Sequence, residues 1–142
     1  MGLFDFASHL GRKLFGKDED AAAEIKAHLE ANNPGINGLT VNFEDGVVTL
    51  AGEGTDSAAV EKAILMAGNV EGVNSVVNNT NVSIEEGQVD YYEIKSGDTL
   101  SKLAKQYYGD AMAYNRIFEA NREVIQDPDL IFVGQKIRIP LA

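Results

Sequence analysis

The sequence predicts an α+β protein made of two small domains, each with helices packed on a short sheet. The apolar spacing switches repeatedly between the alternation of a strand and the three-to-four-residue repeat of a helix. The breaks between these segments hold glycine, proline, asparagine and aspartate, which favour turns. A polar stretch around residues 85–90 then separates two parts of unequal charge, because residues 18–90 carry a net charge of −12 whereas residues 91–142 are neutral.

The first domain is predicted over residues 18–86, in the order helix, strand, strand, helix, strand. Asp45-Gly46 is a strong hairpin signal, because both residue types tolerate positive φ. Gly68 closes the second helix, as glycine often does. The predicted elements are a helix over 21–32, strands over 39–43 and 47–50, a helix from 56 to 68 and a strand over 75–84.

The second domain is predicted over residues 91–142, after a linker at 87–90, in the order strand, helix, helix, strand. Gly97 and Gly109 lie where turns need conformational freedom. The predicted elements are a strand over 91–95, helices over 100–108 and 113–121 and a strand over 136–140.

Residues 1–17 are predicted to form an amphipathic helix that packs on the first domain. Their apolar residues recur at helical spacing, namely Leu3, Phe6, Ala7, Leu10 and Leu14. Charged and polar residues interrupt the continuous apolar run that a signal peptide requires. No stretch approaches the roughly 20 apolar residues of a membrane span. A cytoplasmic protein with no membrane partner is therefore expected.

Composition argues against several classes of function. The chain has no cysteine, which rules out a disulfide framework or a thiolate metal site. His9 and His28 lack partners at the spacing of a zinc site. No nucleophile motif or phosphate-binding loop is present, so the protein is predicted not to be an enzyme. The acidic section over 18–90 repels nucleic acid and anionic membranes and attracts cations.

Motifs along the whole chain resemble a known family. The second domain resembles LysM, through the segments 92–100, 117–121 and 133–140, which read YEIKSGDTL, IFEAN and VGQKIRIP. The first domain resembles BON, through 45–52 and 70–73, which read DGVVTLAG and VEGV. A start reading MGLFDF, then BON, then LysM, is similar to the layout of the bacterial cytoplasmic potassium-binding protein family.

That resemblance implies a cytoplasmic monomer that binds K⁺ and similar large monovalent cations, and changes conformation on binding. Potassium is well held by backbone carbonyls, and the carbonyls at a helix end lack intrahelical partners. The resemblance implies carbonyl ligands from both the N-terminal helix and the loop after Gly68, namely Ala7, Leu10, Gly68, Val70 and Val73. If Gly72 in that loop holds positive φ, a β-branched side chain at this position should impair ion binding. The residues alone also allow a plain helix-to-strand turn here.

Two other functions remain open from the sequence. The LysM resemblance implies a groove for N-acetylglucosamine chains of peptidoglycan, or for a protein partner, formed by Gly97, Asp98, Thr99, Leu100, Asn121 and Ile131. The BON resemblance and the amphipathic start allow an association with the envelope or with phospholipid, although the acidic section disfavours anionic lipid. The primary hypothesis is a potassium buffer or sensor that responds to potassium or osmotic stress.

Overall fold

Two small sheets, together with the helices that cover them, make up most of the described backbone. The computed structural model describes residues 4–6, 9, 11, 13–84 and 89–141. None of the helices in these ranges combines the length and the hydropathy that crossing a bilayer demands.

The first domain is a three-stranded sheet with two helices. β2 is the central strand, antiparallel to β1 and parallel to β3. The predicted α-β-β-α-β order is confirmed. Its elements are helix α1 (Asp18–Ala31), strands β1 (Ile36–Glu44) and β2 (Val47–Gly54), helix α2 (Ser57–Gly68) and strand β3 (Ser75–Thr80).

Turn and cap chemistry accounts for the bounds of these elements. Asp45 (φ 49°) and Gly46 (φ 79°) make the tight turn between β1 and β2, as the hairpin signal predicts. Asp56 caps α2 by accepting the Ala59 N–H at 2.8 Å. Ile25 of α1 and Leu50 of β2 are fully or almost fully buried, so the core lies between the helices and the sheet.

The second domain is a two-stranded antiparallel sheet packed against two helices. Gly109 ends its first helix in the left-handed conformation, with φ 76°. Leu103, Ile117 and Ile137 are buried in its core. Its elements are strand β4 (Val89–Glu93), helix α3 (Leu100–Tyr108), a 3₁₀ turn (Ala111–Ala113), helix α4 (Tyr114–Ala120) and strand β5 (Lys136–Pro140).

The predicted helix over residues 1–17 is wrong for the part of that segment which the structure describes. Asp5 forms an antiparallel bridge with Ser75, so this part of the segment is extended along β3. Residues 13–17 are not helical either, and α1 begins only at Asp18. The physical reason is that an outer strand presents unpaired backbone groups, which residues 4–6 satisfy. The apolar spacing reflects tertiary contacts instead.

Candidate functional site

The loop after α2 holds its backbone in a tight, well-anchored turn. Gly68 is the last residue of α2, so its carbonyl lies among those without an intrahelical partner. Val70 and Val73 are fully buried, and the Val73 N–H donates to the Val70 carbonyl at 3.1 Å. Gly72 has φ +100°, so the condition for the predicted effect of a β-branched substitution is met. Buried side chains thus fix the orientation of the loop carbonyls.

The N-terminal segment is bound to the chain just beyond this loop. The Phe6 N–H donates to the Asn74 carbonyl at 2.9 Å, and the Val76 N–H donates to the Phe4 carbonyl at 2.9 Å. These two bonds flank the bridge between Asp5 and Ser75. The segment therefore extends the sheet at the edge of β3 and then continues past the loop.

Three glycines let the segment and the loop approach closely. A Cβ on Gly68 would overlap the Phe6 ring, and one on Gly72 would lie 3.0 Å from the Phe15 ring. Gly11 has φ +135°, and a Cβ on it would lie 3.0 Å from the carbonyl oxygen of Asn69. At Gly11 the two pieces of backbone are therefore in direct contact, whereas at Gly68 and Gly72 aromatic rings of the segment pack on the loop backbone.

Three of the five predicted carbonyl ligands lie in the described part of this site. Gly68, Val70 and Val73 share one loop, whereas Ala7 and Leu10 lie outside the described residues. The chemistry of the loop suits a weakly hydrated monovalent cation, for which backbone carbonyls replace the hydration shell. Among the residues that the structure describes, no group of three His, Asp or Glu side chains could hold a metal ion.

A second contact, which the sequence reasoning missed, joins the loop to the second domain. The Asn69 side chain donates to the Lys136 carbonyl at 2.8 Å and accepts the Lys136 N–H at 2.7 Å. The Lys136 ammonium donates to the Asp5 carbonyl and lies 4.6 Å from the centre of the Phe6 ring. Burial lowers the pKa of Lys136, and the Asp5 and Glu93 carboxylates oppose that shift.

Four of the six residues predicted to form a groove on the second domain line one open cavity, namely Asp98, Thr99, Leu100 and Ile131. A cavity of about 460 Å³ opens between α3 and the loop that follows α4. Gly97 lies in the exposed turn before it, with φ +87°. The residues that line the cavity are Asp98, Thr99, Leu100, Ser101, Tyr114, Pro128, Asp129 and Ile131.

Several polar groups near the groove have structural partners. The Asp98 carboxylate accepts the Tyr92 hydroxyl at 2.6 Å, which lowers the pKa of Asp98 and raises the pKa of Tyr92 to about 12. Thr99 caps α3 by accepting the Lys102 N–H at 3.1 Å. Asn121 does not line the groove: it is fully buried.

Comparison with known proteins assigns both halves of the chain. Residues 17–84 match the BON domain family, and residues 92–140 match the LysM domain family. The potassium binding protein Kbp of Escherichia coli O6:H1 is 37% identical over 147 residues, which span 99% of each chain. The protein belongs to the Kbp family. The first domain is therefore its BON domain and the second its LysM domain.

Other relatives of this Kbp family member share only part of its length. An uncharacterised protein of Deinococcus radiodurans is 55% identical over 49 residues, which are 34% of this chain and 19% of that protein. The esterase Rv1288 of Mycobacterium tuberculosis is 42% identical over 52 residues, which are 37% of this chain and 11% of the esterase. The activity in that name therefore does not transfer to the present chain.

Proposed function

We propose that this protein binds K⁺ through backbone carbonyls, as a non-enzymatic potassium buffer or sensor of the cytoplasm. The ligands are the carbonyls of Gly68, Val70 and Val73, completed by those of Ala7 and Leu10 from the N-terminal segment. Kbp is similar to this chain over its full length and is named for potassium binding. That similarity supports the proposal.

The observation that carries the proposal is the contact between two pieces of backbone. At Gly11 the N-terminal segment lies against the backbone of Asn69 and Glu71, where a Cβ would be 3.0 Å from each. A cation held by carbonyls from two chain segments requires such an approach, since side chains would hold the segments apart. The buried Val70 and Val73 side chains supply the rigidity that keeps the carbonyls in place.

The charge of the BON domain supports a cation as ligand. Residues 18–90 contain fourteen acidic residues and two lysines, so their field raises the local cation concentration. Glu71 in the loop is exposed. Its carboxylate adds to this field from solvent.

Isothermal titration calorimetry tests the proposal. The protein, dialysed into a buffer with an organic cation, is titrated with KCl, RbCl and NaCl at constant ionic strength. We expect saturable heat for K⁺ and Rb⁺ and far weaker binding of Na⁺, because Na⁺ is smaller and more strongly hydrated. Equal heats for all three salts, or none, would refute potassium binding.

A sensor must also change conformation with the ion. We propose that K⁺ shifts the population toward the arrangement in which the N-terminal segment lies on the loop. Small-angle scattering with and without K⁺, on a sample whose mass is measured by light scattering, tests both the shape change and the monomeric state. Cell fractionation tests the cytoplasmic location.

The cavity of about 460 Å³ favours a second candidate function, which is binding of N-acetylglucosamine chains by the LysM domain. Tyr114 and Ile131 supply apolar surface to this cavity, as a sugar ring requires. Titration with chitin oligosaccharides, monitored by NMR, would shift the amides of residues 98–101 if the groove binds glycan. Absence of any shift at millimolar oligosaccharide would exclude it.

A further inference from the structure

Strand β5 has two edges, and only one of them pairs with β4. The opposite edge presents the N–H and C=O groups of Lys136 and Arg138. Each of these residues is bound by one asparagine amide, which both accepts from its N–H and donates to its carbonyl. The Asn121 amide makes both bonds to Arg138 at 2.8 Å. The Asn69 amide accepts the Lys136 N–H at 2.7 Å and donates to the Lys136 carbonyl at 2.8 Å.

The two asparagines come from different domains. Asn121 follows α4 and belongs to the LysM domain itself, so its bonds hold that domain together. Asn69 follows α2 and belongs to the BON domain. Its side chain makes the backbone hydrogen bonds that a neighbouring strand would otherwise make with β5 of the LysM domain. All of these groups are buried, and leaving a buried backbone group without a hydrogen-bond partner is strongly unfavourable. The bonds of Asn69 therefore fix the position of its own backbone strongly.

The backbone of Asn69 is part of the proposed ion site. Its carbonyl oxygen lies under Gly11, next to Gly68 and Val70 in the chain. The side chain of Asn69 thus reaches the LysM domain while its main chain faces the N-terminal segment. The Lys136 ammonium strengthens the link, because it binds the Asp5 carbonyl in the same segment.

Domain docking does not depend on this link alone. The Lys62 ammonium lies 2.7 Å from the Glu123 carboxylate, and the Arg138 guanidinium lies 3.4 Å from the Glu61 carboxylate. Both pairs join α2 to the LysM domain away from the loop. These two ion pairs already hold the domains together, so the bonds of Asn69 are not needed for docking alone.

We propose that Asn69 is a positioning residue, through which the LysM domain sets the geometry of the ion-binding loop and thereby the affinity for K⁺. This inference rests on the proposed potassium function.

The test compares full-length Asn69→Ala and Asn69→Asp with a control variant, Lys62→Met, which breaks a contact at the same interface without touching the loop. Asn69→Asp keeps the acceptor for the Lys136 N–H and loses the donor, so it retains part of the link if the alanine variant does not fold. Circular dichroism and thermal melts identify the folded samples. Two quantities are then measured on each: the K⁺ dissociation constant, and the exchange rate of the Val73 amide in K⁺-free protein.

We expect folded Asn69 variants to bind K⁺ about fivefold or more weakly than the wild type, the lower range of typical coupling between sites. The Val73 amide should exchange faster in them, because its bond to Val70 depends on the shape of the loop. Lys62→Met should change neither quantity. The inference is overturned if the Asn69 variants keep wild-type affinity and Val73 protection, or if Lys62→Met loses as much.

The wild type separates this inference from the proposed function. If wild-type protein shows no K⁺-preferring heat, the potassium function fails. If the wild type binds K⁺ and the Asn69 variants bind it equally well, only the role of Asn69 fails.

Discussion

Gly11→Ala adds a single carbon atom, the Cβ, at the contact between the N-terminal segment and the loop. The φ of Gly11 is +135°, a region that residues with a side chain rarely adopt. The new Cβ would also lie 3.0 Å from the carbonyl oxygen of Asn69 and from the N atom of Glu71. Both neighbours are backbone atoms of a turn anchored by buried residues, so they cannot rotate away as a side chain would.

The expected magnitude follows from the backbone conformation. A residue with a side chain held in such a region costs about 1–3 kcal/mol, which corresponds to a factor of about 5 to 150 in a dissociation constant. If the segment lies on the loop only when K⁺ is bound, the whole loss appears in K⁺ affinity. If it lies there without the ion as well, the loss appears in the free energy of unfolding instead.

Calorimetry with KCl and urea unfolding without K⁺ therefore need to be measured on the same variant. Gly16→Ala is the matched control, because a Cβ on Gly16 meets no atom within 4 Å. We expect Gly16→Ala to leave affinity and stability close to those of the wild type. A Gly11→Ala protein with wild-type affinity and wild-type stability would show that the segment does not lie on the loop in solution.

Three further changes test the loop and the LysM domain. A folded Gly72→Val variant should bind K⁺ more weakly by about 1–3 kcal/mol, because φ is +100° and its Cβ would lie 3.0 Å from the Phe15 ring; an unchanged calorimetric affinity would remove the loop from the site. Glu71→Gln should affect the K⁺ affinity less than Gly72→Val does, since carbonyls are the proposed ligands; the reverse order would indicate a carboxylate ligand. Tyr92, whose pKa is raised from 10.0 to about 12, stabilises the fold fully below pH 10 and loses this contribution as pH rises to 12. Urea unfolding should therefore show a steeper loss of stability over that range for wild type than for Tyr92→Phe, and parallel losses would contradict the hydrogen bond to Asp98.

Most of the fold could be predicted because its signals are local. The hairpin at Asp45-Gly46 and the helix end at Gly109 depend on the tolerance of single residues for positive φ, which the sequence shows directly. The structure has positive φ at Asp45, Gly46 and Gly109. Helix α2 also ends at Gly68 as predicted, without positive φ at that residue. Strand β3 was predicted too long, to residue 84, whereas it ends at Thr80, because alternation of residue types continues into the following loop.

The N-terminal segment could not be predicted in the same way. Its apolar residues satisfy a helical repeat, yet Phe6 packs on Gly68 and Phe15 packs on Gly72 and on Phe43. Such contacts join residues far apart in the chain, and a single sequence does not pair them. Gly11 was the available signal, since glycine inside a helix costs about 1 kcal/mol relative to alanine.

The same logic explains why the candidate site has so little signature in side chains. A carbonyl site uses atoms that every residue has, so the sequence constrains it mainly by excluding side chains where backbones must meet. Gly11 lies at such a place, and Gly68 and Gly72 lie where the Phe6 and Phe15 rings pack on the loop backbone. A Cβ on any of these glycines would press on the opposing segment. Asn69 lies between Gly68 and Gly72 in the chain, and its side chain forms hydrogen bonds with β5 of the LysM domain. One short loop can therefore face an ion with its backbone and the neighbouring domain with its side chain. Under the two proposals, a change in either partner is transmitted to the other through Asn69.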